Sequence, residues 1–325
     1  MFGACMARAL DAEWTRQGRP DPFVVVEAGA GTGRLAREVL RAAPESASAL
    51  HYVLVERSPA LRDEQIRHLP IEPIADALGP ATRSDEGETP EPVRGLGPIV
   101  SALDEFPARP FDGMIVANEL LDNLPFDIVE RTATGWSEVR VGMDDRGALT
   151  EVLVPAAPVL TDSITVGDVP VGTRLPVAAP AVEWIVESAA SLRRGAIVLV
   201  DYIASWSELV ARDGGWLRTY SGHARGRDPL DAPGSQDITI DVPREMLHRA
   251  ARRAGLTIEL ETSQAEWLRG LGIDALVEAG RSLWDAAAAA PDLEAIANRS
   301  RGTEAAALTD PHGLGAHTVL VLAKH

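Results

Sequence analysis

The sequence predicts an α/β fold: a mainly parallel sheet with helices on both faces, an inserted antiparallel β meander, and a long loop in the C-terminal half. Three observations lead there. Short apolar runs alternate with helix-like stretches along most of the chain, as in parallel sheets joined by crossover helices. The run Phe23-Val24-Val25-Val26-Glu27-Ala28 leads into Gly29, Gly31 and Gly33 and then an amphipathic stretch to about Leu40. Several of the apolar runs end in polar residues, and ligands of open α/β sheets bind outside the carboxyl ends of the strands.

In chain order, residues 2 to about 16 read as an amphipathic helix leading to Pro20 and Pro22. The strand, glycine turn and helix follow. His51-Tyr52-Val53-Leu54-Val55-Glu56 is a second strand. A helix over 59–68 has Ser58 as N-cap and Pro59 at its first position. Residues 71–98 are rich in Pro, Gly, Asp and Glu, and 84–92 read as a flexible surface insertion. Phe111 to Asn118 is a buried strand. Residues 126 to about 154 alternate in β fashion, with turns at Thr134-Gly135 and Asp145-Arg146-Gly147. Residues 179–192 form a helix, and 195–202 a strand ending in Asp201-Tyr202. Residues 205–241 are turn-rich, and so long a loop is usually functional or disordered. A helix over 243–254, with Asp241 near its start, a strand over 256–261, helix over 264–290 and a last strand over 317–322 complete the pass. The 325 residues are expected to form a single domain, with the meander at 126–176 and a substrate-side loop at 204–242.

Composition narrows the function classes. The chain is 46% hydrophobic and 24% charged, with a net charge of −17. Nonspecific nucleic-acid or anionic-membrane binding rests on basic surface, so neither is expected. Cys5 is the only cysteine and reads as a small buried side chain; the seven histidines lack ligand spacing, so no metal site is expected. The first residues do not resemble a signal peptide, and no apolar run reaches membrane-spanning length. A soluble, cytoplasmic protein is the expectation.

The glycines narrow the ligand. Their spacing is G-x-G-x-G; the G-x-G-x-x-G form aims a helix N-terminus at a dinucleotide pyrophosphate. The shorter form, preceded by an acid such as Glu27, is the usual first motif of S-adenosylmethionine (SAM) methyltransferases of the Rossmann-like class I fold. Glu56, roughly twenty residues on, stands where such folds place a carboxylate on the ribose hydroxyls. Glu27, Gly29, Gly31, Gly33, Glu56 and Asn118 are the candidate cofactor residues, with SAM as cofactor. Strand ends also bring Glu119, Asp122, Asp201 and Tyr202 to the same edge. The long loop adds His223 and Asp237, the latter suited to a cationic substrate.

The ordered set of motifs resembles the MidA-like SAM-dependent methyltransferases, a family that includes a mitochondrial arginine methyltransferase needed for respiratory complex I assembly. Val26 to Leu35 is similar to its first motif, and Val55-Glu56-Arg57-Ser58-Pro59-Ala60-Leu61-Arg62-Asp63-Glu64-Gln65 to its second. Ala117-Asn118-Glu119-Leu120-Leu121-Asp122-Asn123-Leu124-Pro125 matches its acidic signature. Asp201-Tyr202, Leu217-Arg218-Thr219-Tyr220 with His223, Pro233-Gly234, Asp237-Ile238-Thr239, and Gln264 to Ile273 resemble its C-terminal half. The departures are a missing N-terminal segment, Ile203, Trp267 and Val242-Pro243-Arg244. They cluster where an acceptor would bind.

The resemblance implies methyl transfer to a protein arginine, hence a protein acceptor. Glu119 and Asp122 are the catalytic candidates, and Asp201, Tyr202, His223 and Asp237 would meet the substrate. The rival readings are a SAM-binding assembly factor without turnover, a small-molecule methyltransferase, and an NAD-dependent oxidoreductase, which the glycine spacing disfavours.

Overall fold

The computed structural model describes residues 1–78, 93–221, 224–226, 228–287 and 292–325. The chain divides into two compact units. The first takes Met1–Asn118, Ser188–Val200 and Leu256–His325; the second takes Glu119–Glu187 and Asp201–Gly255. Among the described residues no helix is long and apolar enough to cross a membrane.

The first unit holds a seven-stranded sheet in the order Thr257–Ser263, Thr318–Lys324, Leu192–Asp201, Phe111–Asn118, Phe23–Ala28, Leu50–Val55, Ile99–Leu103. The last five run parallel to one another, with Val26 opposite both Val53 and Ile115. All six residues of Phe23–Ala28 and of Leu50–Val55 are buried. Strands buried on both faces read as continuous apolar runs, which is why they were legible. The helix Phe2–Arg16 buries Cys5, Met6 and Leu10 in the cluster that holds Phe23, Tyr52 and Leu54. Burial raises the Cys5 thiol's pKa, as befits a core side chain.

Two details of this unit differ from expectation. The helix expected over 264–290 is two helices, Gln264–Gly270 and Ile273–Ala287. The break falls at Gly272, whose φ of 81° lies in the left-handed region where glycine ends helices. The strand Ile99–Leu103 and the helix Leu293–Leu308 were not anticipated. The expected insertion at 84–92 lies outside the described residues.

The second unit contains an antiparallel sheet in the order Leu149–Pro155, Gly135–Met143, Asp127–Thr132, Arg174–Val177. This is the anticipated meander, closed by a fourth strand. The stretch 205–241 is not one long loop. It forms the helix Trp206–Ala211, started by a capping box between Ser205 and Glu208. It then forms the strand Leu217–Ser221, flanked by Ala224–Arg225 and Asp237–Ile240. The helix expected over 243–254 runs Arg244–Arg253 without a side-chain cap. Asp241 is held elsewhere, by Arg212 and Arg218.

Candidate active site

In the first unit the strand Phe23–Ala28 delivers the chain to the glycine turn, and the turn opens the helix Arg34–Arg41. The amides of Gly29 and Ala30 both donate to the Val55 carbonyl, tying the turn to the next strand. Gly31 has φ 52°, and a Cβ there would meet no atom within 4 Å. Its backbone therefore faces open space in a conformation side chains avoid. Gly33 has φ 74° for a different reason: it is the N-cap, and a Cβ would stand 2.7 Å from Leu69.

Glu56 organises this turn. Its Oε2 accepts the Gly31 amide at 2.9 Å and its Oε1 the Ser58 amide at 2.8 Å. Each carboxylate oxygen keeps a second lone pair for a ligand hydroxyl. From the helix Pro59–His68, Gln65 donates to the Gly31 carbonyl at 2.7 Å. Arg62 donates to the carbonyls of Glu56 and Arg57. Sequence reasoning gave Gln65 and Arg62 no role. No side-chain pattern marks them, because their partners are backbone carbonyls. Glu27 lies beneath the turn, 5% exposed, and accepts from the Tyr52 hydroxyl at 2.7 Å. Burial pushes its carboxyl up to about 8. Asn118 closes the strand Phe111–Asn118. An open glycine backbone beside a strand-end carboxylate fits an adenosine-bearing cofactor.

In the second unit Glu119, Leu120 and a single 3-10 turn over Leu121–Asn123 form an acidic corner. Glu119 has φ 50°, a conformation costly for any residue with a Cβ, and its side chain is exposed. Asp122 is buried beside it and accepts from Asn123 Nδ2 at 2.7 Å. Asp201 holds the corner. Its Oδ2 accepts the amides of Leu120 and Leu121 at 3.1 and 2.8 Å, and its Oδ1 accepts the Tyr202 amide at 2.8 Å. Burial, then the neighbouring carboxylates Asp201 and Glu119, push the Asp122 carboxyl well above the usual range.

The substrate-side candidates are placed as follows. Asp201 was expected to meet substrate; at 1% exposure, with both oxygens occupied by backbone amides, it positions the acidic corner instead. Tyr202 is half-buried, with the Arg218 guanidinium 4.4 Å from its ring centroid. Asp237 is exposed and pairs with Tyr220 across the small sheet. His223 lies outside the described residues. Arg218 and Asp241 were not singled out as site residues, because nothing in sequence links them to each other. Among the described residues no group of three or more His, Cys, Asp or Glu is placed to hold a metal ion.

Residues 5–262 match the sequence model of a family described as "Putative S-adenosyl-L-methionine-dependent methyltransferase". The mitochondrial protein arginine methyltransferase NDUFAF7 of Bos taurus is 28% identical over 291 residues, 84% of this chain and 62% of that protein. The Homo sapiens protein of the same name is also 28% identical over 291 residues, with the same coverage. The chain thus spans less than two thirds of the length of these relatives. A Burkholderia thailandensis protein solved with S-adenosyl-homocysteine bound superposes with a TM-score of 0.78 at 27% identity, covering 99% of this chain and 76% of that one.

Proposed function

The chain belongs to this family of S-adenosyl-L-methionine-dependent methyltransferases, and on that premise we propose that it methylates the guanidinium of a protein arginine. The observation that carries the choice of acceptor is the acidic corner: exposed Glu119 on a strained backbone, beside buried Asp122. The names of the relatives point the same way.

SAM, when bound, supplies a methyl group already activated on a sulfonium; Gly29, Gly31, Gly33 and Glu56 are the residues that would hold it. The rest is work for the chain. A guanidinium is protonated at neutral pH, so it must be oriented and must lose a proton as it is methylated. A carboxylate such as Glu119 orients it through two parallel charge-assisted hydrogen bonds. Asp122, with its raised proton affinity, is suited to receive the proton. Such positioning accounts for much of the rate in a transfer between two bound partners.

The test combines the whole protein, methyl-labelled SAM and an array of arginine-containing peptides, with the labelled atom located by mass spectrometry. Label is expected on guanidino nitrogen. Glu119→Gln should lower turnover by about a hundredfold or more, the scale of a positioned acid-base group, with S-adenosylhomocysteine affinity unchanged. Label on a carboxyl, a lysine or a small molecule, or full turnover in the variant, overturns the reading.

A further inference from the structure

Three buried polar atoms of the second unit share one face of the small sheet and have no hydrogen-bond partner among the described residues: Arg218 Nε, Arg218 Nη2 and Thr239 Oγ1. Arg218 and Thr239 are directly opposite each other where the strands Leu217–Ser221 and Asp237–Ile240 pair antiparallel. Side chains so paired point to the same face, with Cβ atoms about 5 Å apart.

The orientation of Arg218 is fixed from the far side. Its Nη1 donates to Asp241 at 2.7 Å, and its plane lies over the Tyr202 ring. Asp241 is itself buried and also takes Arg212, so one carboxylate serves two guanidiniums. Asp122 is close enough to interact electrostatically with Arg218, yet it forms no hydrogen bond to Nε or Nη2.

Nε and Nη2 are the two nitrogens of the side-on edge of a guanidinium, the edge that grips a carboxylate through two parallel bonds. A buried charged donor without an acceptor carries its desolvation cost unrelieved. The Thr239 hydroxyl adds a third donor beside that edge. We infer that Arg218 Nε, Arg218 Nη2 and Thr239 Oγ1 form a subsite for a carboxylate. The source of that carboxylate is an acidic group on the methyl acceptor. The inference does not depend on which atom accepts the methyl group.

The test uses the whole protein, ¹⁵N-labelled, and follows the arginine Nε–H resonances by NMR. Arg218→Lys, which keeps the charge and loses the fork, assigns the Arg218 signal. Sodium acetate is titrated, with sodium chloride at equal ionic strength as control. A saturable shift of the Arg218 signal by acetate, not reproduced by chloride, is expected. Thr239→Val should weaken acetate binding by about tenfold, the loss of one hydrogen bond to a charged group. It also serves if Arg218→Lys does not fold. An Arg218 signal that does not respond to acetate, or a response untouched by Thr239→Val, overturns the inference.

Discussion

One carboxylate, that of Glu56, holds both the glycine turn and the start of the following helix. Its two oxygens accept the amides of Gly31 and Ser58, so its position fixes the backbone that would meet the cofactor. Replacing it by alanine should weaken S-adenosylhomocysteine binding by about 1–3 kcal/mol, the range for losing a charged hydrogen-bond partner. Calorimetry on the purified protein, with NAD as control, measures this directly. Glu56→Gln should recover little: one of its two terminal atoms becomes an NH₂, which faces a backbone N–H and cannot accept from it. Affinity unchanged in Glu56→Ala would remove Glu56 from the site.

At the scale of elements, the acidic corner depends on a neighbour distant in sequence. The strand Phe111–Asn118 ends and the chain turns sharply through Glu119 at positive φ. Such a conformation costs about 1–3 kcal/mol and persists only when its surroundings enforce it. Asp201 does so through the amides of Leu120 and Leu121. Asp201→Ala should therefore speed hydrogen exchange at those two amides and lower kcat, while S-adenosylhomocysteine affinity stays within about twofold, inside the normal scatter for an indirect effect. Unaltered exchange at Leu120 and Leu121 would show that the latch is dispensable.

This arrangement also marks where sequence stops being informative. The strands over Phe23–Ala28, Leu50–Val55 and Phe111–Asn118 were readable because buried parallel strands are continuous apolar runs, and Glu56 because it closes one of them. Asp201 was readable as a strand-end acid, but its task was not: its partners are backbone amides, which carry no side-chain signature. The strands Leu217–Ser221 and Asp237–Ile240 read as loop in the sequence because each is short and a Gly- and Pro-rich stretch separates them. The Arg218–Asp241 pair exists only once those strands pair.

On the scale of the whole molecule, acidity has two components with different consequences. The net charge of −17 is mostly a surface property, and its self-repulsion grows as pH rises. Salt screens it, with a Debye length of about 10 Å at 0.1 M. The buried acids act separately. Glu27 in the first unit has its carboxyl raised from 4.5 to about 8, chiefly by burial. Between those values the folded state binds the proton and the unfolded state releases it. Stability then falls as pH rises, because the unfolded chain carries fewer protons than the native one. The contribution vanishes below the unfolded value of 4.5 and reaches its full size above about 8. Burial likewise raises Asp122 in the second unit, so its penalty has the same sign. The Tm is therefore expected to fall from pH 5 to pH 8, even in salt high enough to quench surface repulsion. Glu27→Gln keeps an oxygen for the Tyr52 hydroxyl and removes the ionisation, so it should flatten that slope in high salt while leaving the Tm at pH 5 nearly unchanged. A wild-type slope that disappears on adding salt would assign the effect to the surface alone. A slope identical in Glu27→Gln would mean that this carboxyl ionises in the folded protein as it does in the unfolded one.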